Sequence, residues 1–246
     1  MQGLDSLALR CQEYYRAGAR FAKWRSPLVI DMEAGRPTDL AIRSNMHDLA
    51  RYALICQSEG LMPIVEPDVS LKGAHSLADA VDVSCRVHSE LFKAMMDHGV
   101  HLAGCTLKPN MINPGRDCPT FYSVEEIAAA NIYVLEQSFP VAMKGANYLS
   151  GGQTLEQAAA RLSAINRAKG KGPWNLSFSW SQALQLPLLK LCKGELQLEA
   201  MSNLYLEELK IASAAAKGEW NWKTGDGDHK GQGASAGTKR LFSHLQ

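Results

Sequence analysis

Apolar positions along this chain follow two spacings, one helical and one typical of strands. Leu4, Leu7 and Cys11 repeat at helical spacing, and Thr38 is a suitable N-cap for a long helix that ends before Gly60. Short apolar runs without this repeat lie between the helical segments and are typical of buried strands. The pattern predicts helices over residues 3–17, 38–57, 76–99, 123–138, 154–169, 181–191 and 194–217. It predicts strands within residues 19–30, 61–65, 100–107, 140–149 and 174–180.

Short strands that alternate strictly with long helices favour an α/β fold built from parallel βαβ units. The pattern contains about five strands, whereas a closed barrel of such units needs about eight. The chain also opens with a helix. Two architectures therefore stay open at this point, an open parallel sheet and the C-terminal portion of a barrel whose first strands are absent.

Composition narrows the partners that the chain is expected to have. With 246 residues, 46% of them hydrophobic, it can bury a substantial core, and 26 basic residues nearly balance 25 acidic ones. No basic block suggests nucleic-acid binding, so an anionic ligand would be held by a few placed groups. No apolar stretch reaches the roughly 20 residues of a membrane span, and no charged-then-apolar leader is present. We expect a cytoplasmic protein without a membrane partner.

The composition shifts to Gly, Lys, Asp and Ser from Glu219 onward. We therefore predict one domain over residues 1–218 and a flexible C-terminal tail over residues 219–246. Within the tail, Asp226-Gly227-Asp228-His229 lacks the carboxylate series of a calcium loop. We interpret this segment as solvated linker and expect no metal there.

Functional side chains follow or end several of the apolar runs. Lys108 is the most informative, because a buried ammonium is costly unless it is paired, neutral or used in chemistry. Lys23 and Arg25 end an earlier run, Glu66 ends another, and Ser150-Gly151-Gly152 follows a fourth just before a helix. A (β/α) barrel places its active site at the C-terminal ends of its strands. The pattern therefore indicates an active site as well as a fold.

Each of these groups also has an ordinary structural interpretation. The Ser-Gly-Gly sequence can be a simple turn, Glu66 can cap the next helix, and Lys23 can be a solvated surface residue. Taken together, they match a Schiff-base site. A lysine becomes nucleophilic beside a second cation, a carboxylate transfers protons, and glycine N–H groups at a helix start bind phosphate. The combination predicts chemistry on a phosphorylated carbonyl compound.

Five motifs, in order along the chain, also resemble a known family. They are Phe21-Ala22-Lys23-Trp24-Arg25, Pro63-Ile64-Val65-Glu66-Pro67, Leu107-Lys108-Pro109-Asn110-Met111, Leu149-Ser150-Gly151-Gly152-Gln153 and Ala164-Ile165-Asn166. With these motifs the chain resembles class I fructose-bisphosphate aldolase from about Gln2 to Ala216. The resemblance implies a (β/α)8 TIM barrel, here lacking the first three or so βα units.

The same resemblance implies the reversible cleavage of fructose 1,6-bisphosphate to dihydroxyacetone phosphate and glyceraldehyde 3-phosphate in glycolysis. It implies no metal or other cofactor, since a lysine iminium serves as the electron sink, and it suggests a homotetramer. By motif, Lys108 corresponds to the Schiff-base lysine and Glu66 to the acid/base. Lys23 corresponds to the ammonium that tunes Lys108 and contacts substrate.

The substrate-binding residues are carried over by motif as well. Arg25 corresponds to an arginine beside the site, and Ser179 lies near the Schiff base. The loop of Ser150, Gly151 and Gly152 would hold the ketose phosphate. Gln182 takes the place of the family's phosphate-binding arginine, so a neutral amide replaces a charge-assisted contact of roughly 1.5–3 kcal/mol.

Other departures leave a second hypothesis open. Asp68 stands where the family has a second glutamate, and the family's C-terminal tyrosine and N-terminal third have no counterpart in this sequence. Without the first strands, the sheet is expected to have open edges and exposed apolar faces. The alternative to an active aldolase is therefore a catalytically impaired, aldolase-like protein that acts in binding or assembly.

Overall fold

A five-stranded parallel sheet organises the fold in this computed structural model, which describes residues 2–192 and 194–221. The strands lie side by side in chain order: β1 Phe21–Leu28, β2 Met62–Val69, β3 Thr106–Leu107, β4 Gly145–Tyr148 and β5 Asn175–Phe178. Every neighbouring pair is parallel. Successive βαβ crossovers produce this order, so the predicted α/β class is confirmed.

Seven α-helices connect or flank the strands in the described part of the chain. They are α1 Leu7–Arg16, α2 Asp39–Ser58, α3 Leu77–Asp97, α4 Val124–Ser138, α5 Leu155–Ala168, α6 Gln182–Cys192 and α7 Leu198–Ala216. Thr38 caps α2 as predicted, with its side-chain oxygen accepting a hydrogen bond from Ala41 N at 3.2 Å. Ser123 and Glu126 form the capping box expected at the start of α4.

Strand β2 extends four residues beyond its predicted end at residue 65. The predicted strand ended where the apolar run gives way to Glu66, a charged residue that is costly to bury without a partner. In the structure β1 supplies the compensating charges, since Arg25 lies opposite Glu66 in the parallel register. Glu66 and Asp68 therefore lie inside β2, and Lys23 and Arg25 inside β1, not at the strand ends where the sequence pattern put them.

Strand β3 is shorter than predicted. The predicted strand over residues 100–107 is reduced to Thr106–Leu107, because Leu102–Gly104 form a 3₁₀ turn. In that turn Gly104 N donates to His101 O at 3.0 Å and Cys105 N donates to Leu102 O at 3.1 Å. These backbone groups are thereby lost to the sheet.

The core lies between the sheet and helices α2 to α5. Fully buried side chains in it include Leu49 of α2, Leu91 of α3, Leu107 of β3, Leu162 of α5 and Leu176 of β5. Helix α2 packs against α3, α3 against α4, α4 against α5, and α5 against α7. The helices thus form one continuous layer that fixes the order of the strands.

The outer strands agree with the expected open edges. Among the described residues, β1 pairs with β2 alone and β5 with β4 alone. Phe21 of β1 is 61% exposed, an apolar side chain that the sheet edge leaves uncovered. No helix within the described ranges is both long and apolar enough to cross a bilayer. The predicted tail, including Asp226–His229, lies outside the described residues except for residues 219–221.

Candidate active site

A cavity of about 500 Å³ opens at the C-terminal ends of the strands. The predicted substrate-binding residues Arg25, Ser150, Gly151, Gly152, Ser179 and Gln182 all line it, as do Lys108 and Glu66. The remaining lining residues are Asp68, Ser70, Leu71, Lys72, Asn110, Arg116, Leu149 and Ser181. Lys23 does not line this cavity, but its ammonium contacts Glu66, which does.

Glu66 is the centre of a cluster of opposite charges. Its side chain is only 6% exposed, and Oε2 lies 3.1 Å from Nζ of Lys23 and 3.6 Å from Nζ of Lys108. Arg25 Nε lies 4.0 Å from the other carboxylate oxygen. Oε2 accepts no hydrogen bond of good geometry from the described residues, so these contacts are ionic in character. Surrounding cations make the burial of this carboxylate tolerable.

Lys108 reaches Glu66 because the backbone after β3 continues to pair with β2. Lys108 N donates to Val65 O at 2.8 Å, which places the two side chains of Lys108 and Glu66 on neighbouring segments. Two residues further on, Asn110 forms an isolated parallel bridge with Leu149 at the end of β4. The chain from Lys108 to Asn110 thus joins the acid/base cluster to the loop that begins at Ser150.

Arg25 and Asp68 form a second charged pair beside this cluster. Arg25 donates from Nε to Asp68 Oδ2 at 2.6 Å, and its Nη2 lies 2.5 Å from the same oxygen. Asp68 is buried, whereas the arginine side chain is 55% exposed. The shorter carboxylate therefore lies within reach of the arginine, and the pair fixes one wall of the cavity.

The loop of Ser150, Gly151 and Gly152 turns sharply between β4 and α5. Gly151 and Gly152 have φ angles of +60° and +79°, in the left-handed region that favours glycine. Gln153 supports the turn, since both its backbone N and its Nε2 donate to Ser150 O. Ser150 is buried, and its hydroxyl has no hydrogen-bond partner among the described residues. A hydroxyl and backbone N–H groups at such a turn suit an anion.

Arg161 of α5 holds this loop from the side of the core. Its Nη1 donates to Gln153 Oε1 at 2.5 Å, and Gln153 in turn bonds Ser150. Burial lowers the pKa of Arg161 to about 10. The guanidinium is thus a structural support for the loop, and it does not line the cavity.

Sequence reasoning missed five polar lining residues: Ser70, Lys72, Asn110, Arg116 and Ser181. Asn110 belongs to the motif Leu107–Met111 and follows Lys108 by two residues, so the motif could have identified it. Lys72 and Arg116 come from loops beyond β2 and β3, so the strand-end pattern gave no reason to select them. Arg116 Nη2 donates to Gly151 O at 2.7 Å, which connects it directly to the glycine turn.

Comparison with known proteins agrees with this fold. A family model described as fructose-bisphosphate aldolase class-I (Glycolytic) matches residues 1–239. The chain is 44% identical over 227 residues to the fructose-bisphosphate aldolase of Dictyostelium discoideum, covering 92% of this chain and 63% of that relative. It is 44% identical over 220 residues to the cytoplasmic isozyme 2 of Pisum sativum, covering 89% and 60% respectively.

A solved structure gives the same result in three dimensions. The fructose-bisphosphate aldolase of Plasmodium falciparum, determined in complex with TRAP and a small-molecule inhibitor, superposes with a TM-score of 0.86 at 42% identity. The match covers 90% of this chain and 64% of that one. The chain belongs to the class I fructose-bisphosphate aldolase family, and it spans 60–64% of the length of these three relatives.

Proposed function

We propose that this chain acts as a class I aldolase. It would reversibly cleave fructose 1,6-bisphosphate, in glycolysis, to dihydroxyacetone phosphate and glyceraldehyde 3-phosphate. The single observation that carries the proposal is the position of Lys108 on the cavity wall, 3.6 Å from Glu66 and beside the Ser150–Gly152 loop. An amine, a proton-transferring carboxylate and an anion-binding turn are the groups that Schiff-base chemistry on a ketose phosphate requires.

The first half of the reaction joins Lys108 to the substrate. The neutral amine attacks the ketose carbonyl carbon, and the resulting carbinolamine loses its hydroxyl as water. Glu66, if protonated, supplies the proton for that leaving hydroxyl, and the nitrogen lone pair forms the iminium. Lys23 Nζ lies 3.1 Å from Glu66 Oε2, so its charge acts on both steps through the same carboxylate.

The second half breaks the carbon–carbon bond. Glu66, now ionised, accepts the proton of the C4 hydroxyl, and the electrons of the C3–C4 bond move into the iminium. Glyceraldehyde 3-phosphate leaves as the aldehyde, and the enamine on Lys108 is protonated at carbon and hydrolysed to release dihydroxyacetone phosphate. In this proposal Ser150, Gly151 and Gly152 hold the ketose phosphate, with Ser179 close to the imine.

Gln182 and Asp68 are the departures that favour the impaired alternative. Both line the cavity, and Asp68 remains within reach of Arg25, so the change from glutamate leaves the charged pair intact. The cluster of Lys23, Glu66 and Lys108 is complete among the described residues. A protein kept for binding alone has no need of this cluster, and its presence favours turnover.

A cleavage assay on the full 246-residue chain tests the proposal. Wild type should release both triose phosphates from fructose 1,6-bisphosphate, and Lys108→Met should release neither. Lys144→Met is the matched control, because Lys144 is exposed and does not line the cavity. A folded wild type that forms an imine without cleaving substrate would establish the impaired alternative. A folded wild type that does neither would end the aldolase proposal.

The proposal extends to assembly and location on the ground of family membership. We expect a homotetramer in the cytoplasm, with a small phosphorylated sugar as its substrate. Light scattering in solution should then give four times the 26.9 kDa mass of the chain. A monomer mass at assay concentration would remove the tetramer from the proposal and leave the chemistry untouched.

A further inference from the structure

The positive charge in the cavity is unevenly compensated. Arg25 and Lys108 lie within 4.0 Å of Glu66 or Asp68, so acidic partners offset them. Lys72 and Arg116 also line the cavity, yet no described acidic side chain lies within 4.0 Å of either. Uncompensated cations on the wall of a cavity attract an anionic ligand.

The backbone holds Arg116 beside the turn that carries Lys72. Arg116 N donates to Leu71 O at 2.9 Å, and Asp117 N donates to Gly73 O at 3.0 Å. Gly115 makes this approach possible, since an added Cβ would lie 2.1 Å from Gly73 O. The two loops are therefore tied together, and each carries a cation that lines the cavity.

The guanidinium of Arg116 lies directly against the glycine turn. Its Nη2 donates to Gly151 O at 2.7 Å, and a Cβ added to Gly152 would lie 1.8 Å from the same nitrogen. An arginine has five N–H donors, and the other donors of Arg116 have no partner within the described residues. The nearby Ser150 hydroxyl, on a residue only 5% exposed, also has none. These unused donors therefore belong to two residues of the cavity wall at the glycine turn.

Gln182 lines the same cavity but cannot supply charge to an anion. A neutral amide makes a weaker contact with phosphate than a guanidinium, which binds its oxygens with charge-assisted and often bidentate hydrogen bonds. The cation best placed for such contacts is Arg116, which already touches the turn.

We propose that Arg116, assisted by Lys72, binds the phosphate of the ketose phosphate over the Ser150–Gly152 turn and takes the part that the neutral Gln182 cannot. This inference rests on the proposed function and assigns its phosphate-binding residue. Arg116 is then a specificity residue, because it favours the binding of phosphorylated over unphosphorylated ketones.

Borohydride trapping with two ketones tests the assignment. Dihydroxyacetone phosphate and dihydroxyacetone are each titrated against wild type, Arg116→Gln and Arg43→Gln, and the half-saturating concentration for trapping is measured. Arg43 is exposed on α2 outside the cavity, so its variant loses the same charge elsewhere. Because Arg116→Gln loses a charge-assisted contact, its half-saturating concentration of dihydroxyacetone phosphate should rise about tenfold to a hundredfold over wild type. The values for dihydroxyacetone, and both values for Arg43→Gln, should stay at wild type.

Two other results would contradict either the assignment of Arg116 or the proposed function. If Arg116→Gln changes the half-saturating concentration of neither ketone, or changes both equally, Arg116 does not bind the phosphate. The inference then fails while the aldolase proposal stands. If folded wild type traps neither ketone, the proposed function fails. Calorimetric titration with inorganic phosphate then still tests Arg116, because only wild type and Arg43→Gln should bind it tightly.

A second variant guards against a simple loss of loop structure. Arg116→Gln combined with Gln182→Arg returns a cation to the cavity at another lining position. The double variant should recover part of the lost affinity for dihydroxyacetone phosphate. Recovery of none would show that a cation at position 182 cannot do the work assigned to Arg116, and this would overturn the claim that Arg116 takes the part of the missing arginine.

Discussion

Nζ of Lys108 lies 3.6 Å from Oε2 of Glu66, and the two residues come from neighbouring segments at the carboxyl end of the sheet. The separation places the carboxylate beside any group bonded to the lysine nitrogen. In the proposed mechanism Glu66 protonates the hydroxyl of the carbinolamine, which is bonded to the carbon next to this nitrogen, so the carboxylate has to lie near Lys108. The ionic contact is therefore also the geometry that the proposed chemistry uses.

Replacement of Glu66 by glutamine should remove proton transfer and keep the shape of the site. We expect turnover of fructose 1,6-bisphosphate to fall by about 10²–10⁴-fold, the usual contribution of general acid–base catalysis. Steady-state kinetics measure the change, with circular dichroism to confirm folding. Glu33→Gln, in an exposed loop, is the matched control and should keep wild-type turnover. Wild-type turnover in Glu66→Gln would exclude Glu66 as the acid/base.

A methyl group at Gly152 should damage the site in two ways. Its φ of +79° imposes a backbone cost of about 1–2 kcal/mol on alanine, and the new Cβ would also displace Arg116. Gly99→Ala isolates the backbone cost, since Gly99 has φ +72° and no atom within 4 Å of an added Cβ. Urea unfolding should show both losses of stability, and only Gly152→Ala should weaken trapping of dihydroxyacetone phosphate. Equal trapping by the two variants would contradict the contact with Arg116.

The buried amide of Asn131 fixes the segment that follows Lys108. Its Oδ1 accepts from Ile112 N at 2.9 Å, and its Nδ2 donates to Ile112 O at 3.0 Å. Asn131→Ala leaves both backbone groups of Ile112 without these partners, so the free energy of unfolding should fall by about 2–4 kcal/mol. Urea denaturation measures it. Asn203→Ala, on the exposed face of α7, should have wild-type stability. Similar stability for the two variants would contradict this account.

His88 should make the protein sensitive to acid. Burial lowers the pKa of this histidine in α3 to about 4, from its ordinary value of 6.5. Between these two values the unfolded chain binds a proton that the folded chain does not. The free energy of unfolding therefore rises with pH across this window. The stabilising contribution of neutral His88 is fully present above pH 6.5 and is lost as the pH falls toward 4.

Urea denaturation at several values between pH 4.5 and pH 7.5 measures that slope. His88→Leu replaces the titrating group with an apolar side chain of similar size, so its stability should change less over the same range. If wild type and His88→Leu lose equal stability on acidification, another group is responsible for the acid sensitivity.

The sequence predicted the helices well because their signals are local. Spacing, the Thr38 cap and the capping box at Ser123 need no partner from elsewhere in the chain, and all three agree with the structure. The end of β2 could not be predicted in this way. Glu66 is tolerated inside a strand only because Lys23 and Arg25 lie on the adjacent strand, and this register is a long-range property.

In the candidate site, too, some residues could be predicted from local sequence and others could not. The groups on or directly after strands, such as Lys108 and Ser150, could be selected because parallel strands bring their carboxyl ends together. Arg116 and Lys72 could not, because two loops of irregular backbone carry them to the cavity. Their positions depend on hydrogen bonds between residues 71–75 and 115–117, which no periodic pattern encodes.

The identity of the lysine that forms the imine tests the central claim most directly. The full chain is incubated with dihydroxyacetone phosphate, reduced with borohydride and digested, and the modified peptide is located by mass spectrometry. We predict one adduct, on Lys108, that persists in Lys144→Met and disappears in Lys108→Met. No adduct in folded wild type, or an adduct on Lys23 in place of Lys108, would contradict the account.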